Sequence, residues 1–169
     1  MLKMEGLSKK EIKMVADLEF HNKYYFTRED ISKHFDSKMQ MKDTLYTLRK
    51  KGRIISLNRN KYFLVPVKAP NSKWTDHPLI VVDEMFNSQD YIVGGWYAAW
   101  YWKLTNQVPM QMDVYTTKRQ GEKKLLNKRY VFHRTTKSKI AKAIVRKIGD
   151  HTFRVLSLEE TKKWFMQRK

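Results

Sequence analysis

Residues 42–65, KDTLYTLRKKGRIISLNRNKYFLV, decide how the first part of the chain is read. Leu45 and Leu48 stand at helical spacing, and Met41 just upstream extends the apolar row to i, i+4, i+7. Gly52 supplies the left-handed residue with which helices commonly end. Beyond it, RIISL and KYFLV are short β-prone runs separated by Asn58, Arg59 and Asn60, a hairpin with a cationic tip. Asn58 and Asn60 tolerate positive φ and are expected to form the turn while Arg59 reaches out.

Upstream, Ser8 and Glu11 have capping-box spacing with Leu7 in front. Ile12, Val15 and Ala16 then recur at i, i+3 and i+4, with Met14 and Leu18 beside them, which predicts an amphipathic helix. Thr27 and Asp30 head a shorter helix, REDISKHF, expected to bury Ile31 and Phe35. Asp36 or Ser37 caps the third helix. Three helices followed by a hairpin give a winged helix-turn-helix over residues 1–66. The apolar row leaves Lys38, Gln40, Lys42, Asp43, Tyr46, Thr47 and Lys50 pointing away from the core or flanking it. Amide, hydroxyl and cationic groups of this kind suit base edges and phosphates in a major groove. The expected DNA-contacting set is Arg28, Lys38, Gln40, Lys42, Tyr46, Thr47 and Lys50, with Asn58, Arg59 and Lys61 at the hairpin.

Charge points the same way. The 169 residues hold 35 Lys+Arg against 17 Asp+Glu, a net of +18. Residues 1–65 carry 15 basic and 8 acidic side chains, a net of +7; residues 66–117 carry 3 and 5, a net of −2; residues 118–169 carry 17 and 4, a net of +13. Two basic blocks around a nearly neutral, aromatic middle suggest contact with a polyanion, because each phosphate neutralised releases condensed counterions. The chain has no cysteine, which excludes disulfides and thiolate metal sites and fits a reducing cytoplasm. Its five histidines are scattered, so no metal or other cofactor is expected. No apolar run approaches the roughly 20 residues of a membrane helix, and the start lacks the apolar core of a signal peptide. A Gly-rich phosphate loop, a GxSxG elbow and paired nucleotidyltransferase acids are all missing, so no catalytic residue is assigned and the chain is not read as an enzyme.

Residues 67–75 read as a linker and 76–169 as a small mixed α/β second domain, making the whole chain α+β. A short helix is placed by Asp76 and Pro78; Gly94 and Gly95 open an apolar helix with Trp96, Ala99, Trp100 and Leu104. MQMDVYTT then reads as a half-buried strand with Met110, Met112 and Val114 inward and Asp113 outward. KRYVFHRTT and KAIVRKIGDHTFRVLS read as further strands with a turn at Gly149-Asp150, before a last helix capped by Ser157 and Glu160. Basic residues alternate with apolar ones here, and Lys128, Arg129, Arg134, Lys142, Arg146 and Lys147 are expected to form a positive surface for nucleic acid or an acidic partner.

The order of motifs resembles the AbiEi-type antitoxins of type IV toxin–antitoxin systems. The phrase from Tyr91 to Thr116 carries the likeness through Tyr91, Ile92, Gly94, Ala98, Leu104, Thr105, Gln107, Pro109, Val114 and Thr116, and GDHTFRVLSLEETKKWF is similar to the family's closing strand and helix. Lys103 and Trp100 are bulkier than the family's usual residues. The resemblance implies a repressor that binds inverted repeats in its own promoter as a homodimer on DNA. It also implies a second domain that supports cooperative binding and antagonises a nucleotidyltransferase-like toxin without a stable complex. Two other readings stand beside it: a standalone transcription regulator without a toxin, and an RNA-binding module using the basic C-terminal sheet.

Overall fold

In the computed structural model, residues 6–69, 76–125 and 127–168 are described, and the chain divides into two compact units, Met1–Thr75 and Asp76–Lys169. Both units mix helices with sheet, so the fold is α+β. Of the expected linker, residues 70–75 lie outside the described residues.

The first unit runs α1 (Lys9–Phe20), β1 (Tyr25–Thr27), α2 (Arg28–Ile31) with a 3-10 turn (Ser32–His34), α3 (Lys38–Lys50), β2 (Ile54–Ser56) and β3 (Lys61–Leu64). Each helix starts where the sequence offers a cap. Ser8 accepts from the Glu11 amide while Glu11 takes the Ser8 amide, Asp30 accepts the Thr27 amide at 2.7 Å, and Ser37 accepts from Gln40. At the far end of α3, Gly52 sits at φ +70° and the Arg53 amide donates back to Leu48. The strands form an antiparallel sheet in the order β1-β3-β2, pairing Phe26 with Tyr62 and Ile54 with Leu64. Those four side chains close a core with Met41, Leu45 and Leu48 from α3 and Ile31 from α2.

The buried face of α1 is not the expected one. Ile12 is 52% exposed and Ala16 is exposed, whereas Glu11, Met14, Val15 and Leu18 are buried. The inward row is therefore 11, 14, 15, 18, and a carboxylate occupies one of its positions. Glu11 is tolerated there because its Oε2 accepts from the Ser8 amide at 2.6 Å and from Lys51 Nζ at 2.9 Å. Burial alone would push the Glu11 carboxyl up; the hydrogen bonds from Lys51 and Ser8 outweigh it and hold the group below its ordinary range.

In the second unit the order is α4 (Pro78–Met85), β4 (Ile92–Gly94), α5 (Gly95–Tyr101), β5 (Gln111–Thr116), β6 (Gly121–Leu125), β7 (Lys128–Arg134), α6 (Lys137–Ala141), β8 (Ile144–Ile148), β9 (His151–Val155) and α7 (Leu158–Met166). A six-stranded mixed sheet has the order β6-β7-β5-β4-β9-β8, with β5 parallel to β7 and β4 parallel to β9. Three elements, β4, β6 and α6, were not foreseen: β4 is only three residues long, and β6 (GEKKL) is too polar to show an apolar period. The strand after Pro109 is also more enclosed than expected. Met110 is 83% exposed and outside β5, while Met112, Asp113, Val114 and Thr116 are all buried. The face of β5 that carries Asp113 is covered by the start of α5, so both faces of the strand are enclosed and alternation fails as a guide there.

Asp113 is thus inward, not outward. It is 6% exposed and its Oδ1 lies 2.8 Å from His133 Nε2. Gly95 at the start of α5 has φ +58°, and a Cβ built on it would stand 2.7 Å from Asp113 Oδ2. The glycine is therefore needed both for backbone conformation and for space. A second buried acid, Asp83, is satisfied by Tyr91 Oη and Ser88 Oγ, each donating at 2.7 Å. Burial, and then the Asp83 carboxylate, push the Tyr91 phenol well above its usual range. Among the described residues no helix is long and apolar enough to cross a membrane.

Candidate nucleic-acid interface

With Met41, Leu45 and Leu48 turned into the core, α3 exposes Lys38, Met39, Lys42, Asp43, Tyr46, Arg49 and Lys50. Four of these seven are cations, and none of the four makes an ion pair among the described residues. Tyr46 organises two of them: Lys50 Nζ lies 4.9 Å and Arg49 Cζ 5.9 Å from the centre of its ring. An open groove of about 620 Å³ runs beside the start of α3, lined from α1 by Ser8, Lys9 and Lys10 and from α3 by Ser37, Met39, Gln40, Asp43 and Thr44. The first unit thus gathers unpaired positive charge on one face of α3, beside a groove whose Lys10 lies 4.0 Å from Asp36.

The hairpin tip keeps its shape by side-chain hydrogen bonding. Asn58 Oδ1 accepts from the amides of Asn60 at 2.9 Å and Lys61 at 2.8 Å, and neither asparagine has positive φ. That corrects the expected turn chemistry, because an asparagine side chain can close a turn by accepting amides two and three residues on. Arg59 is left exposed at the tip. Asn60 Nδ2 is drawn to Glu29 at 3.1 Å.

Several of the residues picked from the sequence are engaged inside the fold. Arg28 donates from Nε and Nη2 to Tyr62 Oη at 3.2 Å, which ties α2 to β3. Gln40 accepts the Asp36 amide through Oε1 at 3.2 Å, and Thr47 donates to the Asp43 carbonyl within its own helix. Asn58 serves the turn, and Lys61 is half-buried in β3. Lys38, Lys42, Tyr46, Lys50 and Arg59 are the picked residues that stand exposed in this unit. Lys9, Lys10, Met39 and Arg49 were missed. The cap at Ser8 places both lysines in the first turn of α1, and a helical wheel centred on Met41 turns Met39 to the outside.

In the second unit the six picked cations are spread across the sheet instead of clustering. Lys128, Arg129 and Arg134 belong to β7 and Arg146 and Lys147 to β8, with β5, β4 and β9 between the two strands. Four strand spacings amount to about 19 Å. Lys128 is half-buried and donates to the Pro109 carbonyl at 2.9 Å, and burial lowers its pKa. Arg129 is paired with Glu122. Lys142, Arg146 and Lys147 are exposed, as are Lys137 and Lys139 of α6. Arg146 is held 5.5 Å over the Trp102 ring.

No family model matches the sequence, and no curated protein does. The fold is similar to that of the Rv2827c protein of Mycobacterium tuberculosis, with a TM-score of 0.57 and 12% sequence identity over 86% of this chain and 52% of that one. The chain spans about half the length of that protein, and at this identity the likeness is one of fold alone.

Proposed function

We propose that this chain is a sequence-specific, duplex-DNA-binding repressor whose first unit is a winged helix-turn-helix. In this reading α3 enters the major groove, and the hairpin between β2 and β3 lies along the backbone or minor groove beside it. The observation that carries the reading is the outward face of α3, where four cations without ion pairs are exposed, two of them against the Tyr46 ring, while the opposite face is engaged in the core. A helix used only for packing has no need of such concentrated charge, whereas each phosphate contact gains from counterion release. The succession of α1, α2, α3 and a hairpin, with β1 completing a three-stranded sheet, is also the layout in which a wing flanks a recognition helix.

In the same reading the second unit is an antitoxin domain of the AbiEi kind: the chain acts in the cytoplasm, binds repeats upstream of its own gene and antagonises a nucleotidyltransferase-like toxin. Support for that part is the sequence phrase from Tyr91 to Thr116. Its Gly94 lies directly against Tyr115: a Cβ there would stand 2.7 Å from the Tyr115 ring. Footprinting of the full chain on its own upstream region tests binding, specificity and autoregulation together. Protected repeats, with affinity falling steeply as salt rises, are the expected result. Tighter binding to structured RNA than to any duplex would favour the cationic β8 side as the working surface instead.

A further inference from the structure

Directly opposite the buried Met41, Leu45 and Leu48 row, α3 presents Met39, Asp43, Tyr46 and Lys50 at i, i+4, i+7 and i+11. Asp43 is the one anion of this helix and lies near the middle of its most outward stripe. It is exposed, and its carboxylate has neither an ion pair nor a hydrogen bond among the described residues. Other acids of the first unit differ: Glu11, Asp17, Asp30 and Asp36 each hold a lysine, Glu29 accepts from Asn60, and Glu19 accepts the Val67 amide. An unpaired carboxylate at the centre of a phosphate-seeking face would be repelled by the backbone it approaches. It is compatible with groove docking only where the duplex offers it a hydrogen-bond donor.

That requirement narrows the partner. An ionised carboxylate only accepts. Guanine shows two acceptors in the major groove and thymine an acceptor with a methyl group, so neither satisfies it. Adenine has an amino donor but sets the N7 lone pair beside it, whereas cytosine presents the N4 amino group without an acceptor on the same base edge. We propose that Asp43 reads a cytosine in the binding site, and that Met39, one turn earlier, packs on a thymine methyl. Four residues of helix span about 6 Å, so the two bases are about two steps apart. The inference rests on the duplex-binding reading and deepens it by naming part of the sequence recognised. Discrimination comes largely by exclusion, since any other base leaves a desolvated carboxylate facing lone pairs.

The test is selection from randomised duplexes with the full chain, comparing the unaltered protein with Asp43→Asn and Asp43→Ala. The unaltered chain should enrich cytosine at one defined position. Asp43→Asn should move that position from cytosine to adenine by on the order of fivefold or more, because an amide pairs with adenine N6 and N7 together. Asp43→Ala should flatten that position alone while tightening binding to arbitrary duplex, since it removes a negative charge. Deoxyuridine in place of the neighbouring thymidine, which deletes the methyl, should weaken binding by the unaltered chain but not by Met39→Ala. Retention of the same cytosine preference by both Asp43 variants overturns the inference and leaves duplex binding intact. Failure of the unaltered chain to bind any duplex overturns the functional reading along with it.

Discussion

Replacing Lys51 by Met tests how the first unit holds its binding face in place. Lys51 follows the last turn of α3, and its Nζ reaches Glu11 Oε2 at 2.9 Å and the Gly6 carbonyl at 3.0 Å, so it joins the end of α3 to the start of α1. The Glu11 side chain is 4% exposed and the Lys51 side chain 12%. Methionine fills a similar volume but leaves a buried carboxylate with only its Ser8 contacts. Removing one member of a buried pair costs about 3–5 kcal/mol, and the lower end applies here because Lys51 is reached by some water. Against a typical domain stability of roughly 5–15 kcal/mol, this is a large loss.

The Glu11→Gln/Lys51→Met double variant, with no charge left behind, should recover most of it. Glu11 also sets a pH signature. Its carboxyl is held below the ordinary value of 4.5, so its contribution to stability is present above that value and is lost as pH falls through the lowered folded-state value. In Lys51→Met burial is no longer outweighed and the carboxyl protonates more readily, so the gap between the two proteins should narrow in acid. Hydrogen exchange of the Leu18 and Leu48 amides, followed from pH 7 down to about 4, reads both effects within this unit. A loss under about 1 kcal/mol, or a gap that ignores pH, would refute the reasoning.

Three further outcomes are expected. Arg59→Ala should weaken binding to every duplex alike and reduce the slope of log affinity against log salt by about one, as loss of a single phosphate contact does; an unchanged slope would place the hairpin tip away from the backbone. Gly95→Ala adds a Cβ 2.7 Å from Asp113 Oδ2 at a residue with φ +58°, and should lower the unfolding temperature of the second unit, read by tryptophan fluorescence, by several degrees. The Asp17 carboxyl should titrate at about 2 by NMR, because Lys33 at 2.8 Å and then His34 at 3.0 Å hydrogen-bond to it; Lys33→Ala should bring it back toward 3.8. Its stabilising effect is accordingly present above pH 4 and fades as pH falls toward 2.

The candidate interface was only partly legible before folding. Helical periodicity located the outward face of α3, and Lys42, Tyr46 and Lys50 followed from it. The engagement of Gln40 with the Asp36 amide and of Arg28 with Tyr62 was not readable, because each depends on how a side chain competes for a neighbour's hydrogen-bonding group. Lone Asp43 was visible as an outward residue; that it stays unpaired became evident only when the surrounding cations had positions.

Caps, glycine stops and the 3.6-residue period act within a few residues, which is why the positions of α1, α3, the hairpin and α7 follow from local sequence. Which face of an element turns inward is a different matter. Glu11 goes inside because Lys51, forty residues on, comes to meet it, and Asp113 does so because α5 packs over its face of β5 and the pairing of β5 with β7 brings His133 beside it. The second basic block, continuous in sequence, is divided between strands separated by three others. Strand order is set by pairings between distant segments, and no local pattern records them.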